Sequence, residues 1–522
     1  MPPLPEAPPH PAPAAAPAPP DAGAAQARDA TPVPRTSTRP LLLLVLLAAW
    51  LACTLGLRPL LLPDEGRYAG VAREMLAGDW WVPTLNGLPF FHKPPLLYWL
   101  DMAAMSVFGS NAFAVRMGPA LGALLMGAAV LLALRRWHGA RMASSGLIVL
   151  ASCPLYFLSA QYVNHDMLVA GLITVAVFSF VRALEEPPGV VPGWLLLAWV
   201  ACALAMLAKG LIGFVLPAWV IGPWLLWQGR WRQMFRLLHP LGMLAAALVA
   251  APWFVAVQGR YPGFFDYFFM EQHFRRFAQS DFNNVQPFWF FLVVLPAFTL
   301  PWSARLPHLL RRAWSRADPR TGLYIWWVAA VLVFFSLPSS KIVGYVLPAL
   351  APWCMLLALA FGDAGPRTRR WFTGIAFGIC LLLVAGFAWQ QPDADRKVAR
   401  ALAARIAAGD RVVMLDEYLY DIGFYARLAE PVVVLSDWAD PALPHRDNWR
   451  KELFDAARFD PARGKALLRP LSDLPRMDCG TSTTWFVLRH RQAPRLAALP
   501  AAQPVMISGD TELWKATGRF CP

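Results

Sequence analysis

Acidic and basic side chains stand beside long apolar runs in this chain, at positions where charge is costly unless it has a function. Two aspartates mark the ends of such runs, Asp64 after the first and Asp166 before a later one. A carboxylate placed there suits a general base or a group that orients a nucleophile. Cations in comparable positions would stabilise a departing phosphate. These cations are Lys93, Lys209, Arg276 and Lys341.

The kind of donor follows from motifs that the chain lacks. It has no Walker A loop and no Gly-rich dinucleotide fingerprint after a strand, so nothing in it indicates ATP or NAD. Activated groups on the outer face of a membrane commonly arrive attached to a polyprenyl phosphate. We therefore expect chemistry on a lipid-linked sugar phosphate.

The composition places these residues in a polytopic membrane protein. Of 522 residues, 57% are hydrophobic, and the mean hydropathy is +0.42. The formal net charge is +14, but its arginines cluster in the N-terminal tail and in short loops between apolar runs, so it predicts cytoplasmic loops and no nucleic-acid partner. The loop clusters begin at Arg135, Arg230, Arg305 and Arg367.

The arginine clusters also fix which ends of the predicted spans face the cytoplasm. We predict spans near 41–62, with Arg58 as its one interior charge, and near 117–134, 142–160, 166–184, 193–208, 211–228, 240–258, 287–304, 322–337, 346–362 and 372–390. Pro94–Phe108 is short and carries Asp101, which predicts an interfacial or re-entrant helix on the outer face. About 11–13 transmembrane helices are expected, and eleven crossings put the C-terminal region outside. Residues 1–40, rich in Pro and Ala, predict a disordered cytoplasmic tail with no cleaved signal peptide.

Residues 391–522 have a different pattern from the membrane region at 41–390. Short β-rich apolar runs at 411–415, 431–435, 484–488 and 504–507 are separated by helical or polar stretches. This predicts a C-terminal periplasmic α/β domain. Cys479 and Cys521 lie in it, and the compartment permits a disulfide between them.

The first outer loop carries a family resemblance. Between Asp64 and Trp99 the chain contains, in order, DEGRY, GDW, VP, NG and KPPLLYW. This order resembles the first outer loop of the bacterial 4-amino-4-deoxy-L-arabinose lipid A transferases, which are glycosyltransferases of the GT-C class and similar to protein O-mannosyltransferases. Weaker similarities are HDM at 165–167, AKG at 208–210, HFRRF at 273–277 and YVLP at 345–348.

The resemblance implies an inverting glycosyltransferase of the bacterial inner membrane. It would take a sugar from undecaprenyl phosphate and attach it to a lipid A phosphate on the periplasmic side. Asp64 is the implied catalytic carboxylate, with Asp166 as a second one. The residues implied around the donor phosphate are Arg67, Tyr68, Lys93, Lys209, Arg276 and Tyr345, to which the residue pattern adds Lys341.

One departure concerns a metal. The family commonly has Glu before Lys-Pro-Pro, where this chain has His92. That Glu, with a histidine matching His273, can bind a divalent metal in relatives. Two histidines could still hold zinc or magnesium, but without a third ligand they do not define a site. A polar surface residue beside Lys93 is the preferred interpretation of His92.

Several alternatives stay open. The sugar is aminoarabinose, a hexosamine or a hexose, and the acceptor is a phosphate or a hydroxyl. A lipid transporter or flippase would also show many spans and buried charge, although its site usually lies near the midplane of two repeated halves. A structural membrane protein with a periplasmic interaction domain is a further alternative. The charged residues also have a purely structural interpretation, in which the cations snorkel to headgroups and Asp64 caps the helix that follows it.

Overall fold

The computed structural model describes residues 40–187, 193–275, 284–307, 319–390, 393–477, 482–497, 499 and 501–517. Up to residue 390 the fold is helical except for one short hairpin. Its α-helices are α1 (Pro40–Ala52), α2 (Asp64–Ala77), α3 (Leu96–Phe108), α4 (Met117–His138), α5 (Ala140–Ala151), α6 (Pro154–Ser159), α7 (His165–Ala183), α8 (Gly193–Lys209), α9 (Ile212–Trp227), α10 (Gln233–Leu237), α11 (Pro240–Arg260), α12 (Phe290–Ala297), α13 (Pro319–Ser336), α14 (Leu350–Ala360) and α15 (Pro366–Gln390). A π-helix covers Asp266–Arg275, and 3₁₀ turns cover Ala114–Arg116, Trp302–Arg305 and Val343–Ala349.

Helices long and apolar enough to cross a bilayer confirm a multi-pass membrane protein. In the described part of the chain they number six. They are Ala114–His138, His165–Ala183, Pro240–Arg260, Pro319–Ser336, Val343–Ala360 and Pro366–Gln390. Five shorter apolar helices lie among them, α1, α3, α5, α8 and α9. The helix α3 has 13 residues, about 20 Å at 1.5 Å per residue, and is shorter than the hydrocarbon core.

Three predicted spans differ from the observed helices. The helix in 41–62 ends at Ala52, so Arg58 lies beyond it and is not an interior charge of a span. The predicted span near 142–160 consists of two helices, because the chain breaks after Ala151 and restarts at Pro154. Within 287–304 the α-helix covers only Phe290–Ala297. Proline explains the last two breaks, since it lacks an N–H and its ring disfavours the helical conformation of the residue before it.

The helix α7 is the centre of the membrane region. It packs against α4, α8 and α9, and most of its side chains are buried. Its first turn is fixed by Asn164, whose Oδ1 accepts a hydrogen bond from the backbone N–H of Asp166 at 3.2 Å. The sequence pair His165-Asp166 is therefore placed at the start of a buried helix.

The C-terminal region forms the predicted α/β fold around one six-stranded sheet. Its helices are α16 (Ala394–Ala403), α17 (Tyr420–Ala426), α18 (Trp449–Ala457), α19 (Pro461–Leu467) and α20 (Ala493–Ala497). Its strands are β3 (Arg411–Leu415), β4 (Val433–Ser436), β5 (Leu468–Pro470), β6 (Thr484–Arg489), β7 (Ala502–Ser508) and β8 (Thr511–Ala516). The sheet order is β5-β4-β3-β6-β8-β7, parallel from β5 to β6 and antiparallel from β6 to β7. Four of these strands match the predicted runs, whereas β5 and β8 were missed.

The first outer loop and the C-terminal region pack directly on each other. The helix α17 packs against α2 at Gly66, where a Cβ would lie 3.2 Å from the backbone N of Asp421. The hairpin of β1 (Thr84–Leu85) and β2 (Leu88–Pro89) follows α2. At its turn the amide of Asn86 donates to Val432 O at 2.9 Å and accepts from Val432 N at 2.8 Å. These contacts hold the loop that carries Asp64 against the C-terminal sheet.

Candidate active site

The first outer loop is organised around Glu65, which is fully buried. Its carboxylate accepts hydrogen bonds from Arg58 at 2.5 Å and from Arg116 at 2.9 and 3.0 Å. The backbone N–H groups of Leu61 and Val163 add two more, at 2.7 and 3.0 Å. Burial alone would raise the pKa of Glu65, but the two guanidinium groups outweigh it and lower that pKa. Sequence reasoning missed this structural role. A signal was available, because Arg116 has no oppositely charged neighbour in the sequence and therefore needs a distant partner.

Asp64 is adjacent to Glu65 in sequence but lies in a different environment. Its side chain is 30% exposed and pairs with the guanidinium of Arg67. Its other oxygen accepts from the hydroxyl of Tyr162 at 3.1 Å. Burial and the charge of Asp64 raise the pKa of Tyr162, so that hydroxyl stays a donor. Asp64 does not cap α2 through its side chain, which removes the capping alternative for this residue.

A second acidic centre forms where α7, α8 and the 3₁₀ turn at Val343–Ala349 meet. The carboxylate of Asp166 is paired with the ammonium of Lys209. That ammonium also lies 4.6 Å from the centroid of the Tyr345 ring. Glycine is required at position 344, because a Cβ there would lie 2.1 Å from Asp166 Oδ2. The structure thus brings together Asp166, Lys209 and Tyr345, which the sequence places far apart.

His165 connects the two acidic centres. It is fully buried, and its ring lies 4.7 Å from the Tyr68 ring and 5.3 Å from the Tyr98 ring. Within the described residues neither ring nitrogen has a hydrogen-bond partner. The Tyr68 ring in turn lies 4.8 Å from the guanidinium of Arg67, and Lys209 is paired with Asp166, the residue next to His165.

Two cations, Arg67 and Lys209, therefore lie beside a buried aromatic cluster in which His165 has unused hydrogen-bonding capacity. A phosphate group matches this arrangement, since it offers negative charge and several acceptor oxygens. Tyr68 contributes a hydroxyl to the same place, and burial raises its pKa above the usual range, so it stays protonated. Tyr98 and His165 were quoted in the sequence motifs but not assigned a role.

Two predicted site residues lie in other surroundings. Lys341 is buried, and its ammonium donates to the carbonyls of Pro338 at 2.6 Å, Gln286 at 2.9 Å and Ser339 at 3.4 Å. Its ammonium therefore stabilises this turn, and its role at the donor phosphate stays a prediction. The ring of His92 stacks on the ring of Phe90, with 4.4 Å between the two ring centroids.

The remaining predicted residues fall outside what the structure describes. Arg276, Cys479 and Cys521 belong to this group, as does the side chain of His273. Among the described side chains, no three His, Cys, Asp or Glu residues come close enough to hold a metal ion. The phosphate role of Arg276, the disulfide and the metal stay predictions.

The C-terminal region adds one side chain that sequence reasoning missed entirely. Glu452, on α18, is buried and forms an ion pair with Arg67 through the terminal nitrogen that Asp64 does not use. Its other oxygen accepts a hydrogen bond from Tyr420 at 2.5 Å. No motif in this region pointed to it, and it lies 385 positions from Arg67.

Comparisons with known proteins identify the family of this chain. Residues 41–268 match the family model described as dolichyl-phosphate-mannose-protein mannosyltransferase. The chain is 39% identical over 340 residues to the undecaprenyl phosphate-alpha-4-amino-4-deoxy-L-arabinose arabinosyl transferase of Erwinia tasmaniensis, covering 63% of this chain and 61% of that protein. The chain thus spans about three fifths of the length of that relative.

A longer match and a structural match complete the comparison. The transferase of the same name from Pseudomonas paraeruginosa is 35% identical over 447 residues, with 81% of this chain and 79% of that protein covered. The crystal structure of ArnT from Cupriavidus metallidurans bound to undecaprenyl phosphate superposes with a TM-score of 0.78 at 23% identity, covering 92% and 98% of the two chains. The fold is that of a polytopic GT-C membrane protein, and the chain belongs to the undecaprenyl phosphate-aminoarabinose arabinosyl transferase family.

Proposed function

We propose that this protein transfers 4-amino-4-deoxy-L-arabinose from undecaprenyl phosphate to a phosphate of lipid A. The observation that carries the proposal is the pair of cations Arg67 and Lys209 on either side of the buried His165 cluster, next to the partly exposed carboxylate of Asp64. The names of the relatives from Erwinia tasmaniensis and Pseudomonas paraeruginosa supply the sugar and the lipid carrier.

In the proposed reaction an oxygen of the acceptor phosphate attacks the anomeric carbon of the sugar. The bond from that carbon to the donor phosphate oxygen breaks, and undecaprenyl phosphate leaves with the electron pair. Arg67, Lys93 and Lys209 stabilise the negative charge that develops on the leaving phosphate. Because the acceptor phosphate is already ionised, Asp64 need not be a strong base and serves to orient the acceptor.

Reconstitution with defined substrates tests this function. The purified protein in lipid nanodiscs is given the aminoarabinose-linked undecaprenyl phosphate and lipid A, and the lipids are examined by mass spectrometry. We expect aminoarabinose-modified lipid A from the wild type, and none from Asp64→Asn. Asp473→Asn is the matched control, since Asp473 pairs with Arg469 in the C-terminal region, away from the site. Unmodified lipid A from the folded wild type would contradict the proposal.

A second candidate function is transfer to a protein hydroxyl. The mannosyltransferase family model over residues 41–268 favours it. A hydroxyl must lose its proton during attack, so Asp64 would then have to act as a true general base. The same nanodiscs supplied with a polyprenyl-phosphate mannose and a serine-rich peptide distinguish the two candidates.

The orientation in the membrane is part of the proposal. The arginine-rich loops support a cytoplasmic N-terminus and a periplasmic C-terminal region, with α3 on the outer face. In a background without native cysteines, single cysteines near Asn86, Asn164 and Ser340 should react with an impermeant thiol reagent from the periplasm. Those near His138, Gly229 and Ala317 should react only after the membrane is broken. Labelling of Asn86 and Ser340 from opposite sides would rule out a shared site.

A divalent metal is a separate proposal that supplies no step in this mechanism. Histidines at positions 92 and 273 would be the ligands of zinc or magnesium. Metal analysis of the purified protein, with His92→Ala for comparison, tests it. A wild type without bound metal and with full transfer after chelation would contradict it.

A further inference from the structure

Arg67 is held between two carboxylates that come from different parts of the chain. One of its terminal nitrogens pairs with Asp64 of the first outer loop, and the other pairs with Glu452 of the C-terminal region. Its guanidinium also lies 4.8 Å from the centroid of the Tyr68 ring. The Arg67 side chain is 13% exposed and that of Glu452 is 8% exposed, whereas that of Asp64 is 30% exposed. The buried pair fixes the guanidinium, and the exposed partner is the one a ligand reaches.

Glu452 is itself held in place by its own surroundings. Tyr420 donates to its second oxygen, so both oxygens are used. The helix α18 starts at a side-chain cap, since Asn448 Oδ1 accepts from Arg450 N at 3.0 Å and Lys451 N at 3.2 Å. One turn on, Asp455 accepts from the hydroxyl of Tyr267 at 3.4 Å. Glu452 is thus presented to Arg67 from a helix fixed to a second outer loop.

The two carboxylates compete for one guanidinium. An arginine and a carboxylate form their strongest pair when both lie in one plane and two nitrogens bind two oxygens. By holding Nη1, Glu452 blocks the pair in which Asp64 would bind both terminal nitrogens of Arg67. Without Glu452, Arg67 would close on Asp64, and its donors would be lost to any phosphate in the site.

We propose that Glu452 is a positioning residue that keeps Arg67 turned toward the donor phosphate and Asp64 open toward the acceptor. The C-terminal region thereby takes part in donor binding through one buried carboxylate. This inference rests on the proposed function, because it takes a polyprenyl phosphate as the ligand of Arg67. It concerns binding, so it can be tested without turnover.

The experiment is a titration of nanodisc-embedded protein with undecaprenyl phosphate. We expect Glu452→Gln to weaken binding about fivefold to tenfold, which is the size of one ordinary hydrogen bond. Asp64→Asn removes the competing carboxylate, so the double variant Glu452→Gln with Asp64→Asn should bind within about twofold of Asp64→Asn alone. Tyr420→Phe, a milder change, should weaken binding in the same direction by a smaller factor. Asp473→Asn is the matched control and should bind like the wild type.

A merely structural role for Glu452 predicts a different result. The substitution would then weaken binding equally in the wild-type and Asp64→Asn backgrounds, and that additivity would overturn the inference. Wild-type binding by Glu452→Gln would also overturn it. If Glu452→Gln fails to fold, Tyr420→Phe in the two backgrounds gives the same comparison. A wild type that binds undecaprenyl phosphate but transfers no aminoarabinose would contradict the proposed function alone, and one that does not bind it would contradict both.

Discussion

Glu65 and Asp64 are neighbours in sequence and have the same functional group, but their surroundings differ in one decisive respect. Glu65 is fully buried, and its two oxygens accept from two arginines and two backbone N–H groups. Asp64 is 30% exposed and has two side-chain partners, Arg67 and Tyr162. A saturated carboxylate has no capacity left for a ligand, whereas a partly exposed one does. The comparison separates a structural acid from one available for chemistry.

The largest effect should come from Glu65→Gln. Removing its charge leaves Arg58 and Arg116 buried without a counter-ion, at a cost of about 3–5 kcal/mol. We expect little or no folded protein, measured as the monodisperse fraction on size-exclusion chromatography in detergent. A well-folded Glu65→Gln variant with reduced turnover would instead make Glu65 a site residue and erase the contrast with Asp64.

Asp64→Asn should lower activity and leave stability unchanged, in contrast to Glu65→Gln. We expect transfer to fall by at least about 10²-fold, because the acceptor loses its orienting carboxylate. The melting temperature should stay close to that of the wild type, since the side chain is partly exposed and Tyr162 can still donate to the amide oxygen. Transfer rates and thermal melts of the same preparation check the expected loss of transfer and the unchanged melting temperature. Retained transfer would remove Asp64 from the catalytic role.

Lys93→Ala tests the predicted role of Lys93 at the donor phosphate. Loss of one charge-assisted contact to the donor phosphate should lower kcat/KM for the donor roughly tenfold to a hundredfold. Initial rates over a range of donor concentrations measure this, with folding checked by thermal melting. Donor kinetics equal to the wild type would mean that Lys93 only interacts with lipid headgroups.

Lys341→Met tests on a cation the same contrast between a saturated charge and one available to a ligand. Its ammonium is bound by three carbonyls, so it resembles Glu65 more than Asp64 in being saturated. We expect a lower melting temperature but a transfer rate within about threefold of the wild type, because charged hydrogen bonds contribute about 1.5–3 kcal/mol to stability. A rate loss like that of Lys93→Ala, without a change in melting, would place Lys341 in the donor site after all.

The smallest expected effect concerns pH. Burial and the nearby charge of Asp395 raise the pKa of Asp421 to about 7, whereas an unfolded Asp has a pKa of about 3.9. The folded state thus binds this proton more tightly, so its stabilising contribution is full below about pH 4 and is lost as the pH rises through about 7. Asp421→Asn should therefore show a smaller drop in melting temperature between about pH 5.5 and about pH 8.5 than the wild type. Equal drops in both proteins would contradict this pKa.

Local sequence signals predicted most of the architecture. Apolar runs located the helices, and β-rich runs located four strands of the C-terminal sheet, because these patterns depend on near neighbours. The breaks before Pro154 and after Ala297 were also visible as prolines inside apolar runs, and were missed by treating each run as one helix. The strand β5 has three residues, too few for a recognisable alternation.

Long-range contacts decided what the sequence left open at the site. The spacing of the first outer loop indicated that Asp64 and Glu65 matter, but not which of them points inward. That choice depends on Arg116, 51 positions away. The role of Glu452 depends on a contact over 385 positions, and Lys341 is set apart by three backbone carbonyls that no side-chain motif encodes. Pairings of this kind arise only when the chain is folded.

The packing of α2 on the C-terminal region limits how this protein can be recombined with its relatives. Leu60 N donates to the Tyr425 hydroxyl at 2.8 Å, and Arg73 donates to Leu428 O at 2.8 Å. A chimera joined near residue 391 would exchange those partners, together with Val432, while keeping the loop they were fitted to. Grafts that move residues 58–99 and the C-terminal region as one unit should give folded chimeras, and the intervening membrane helices are the segment to exchange.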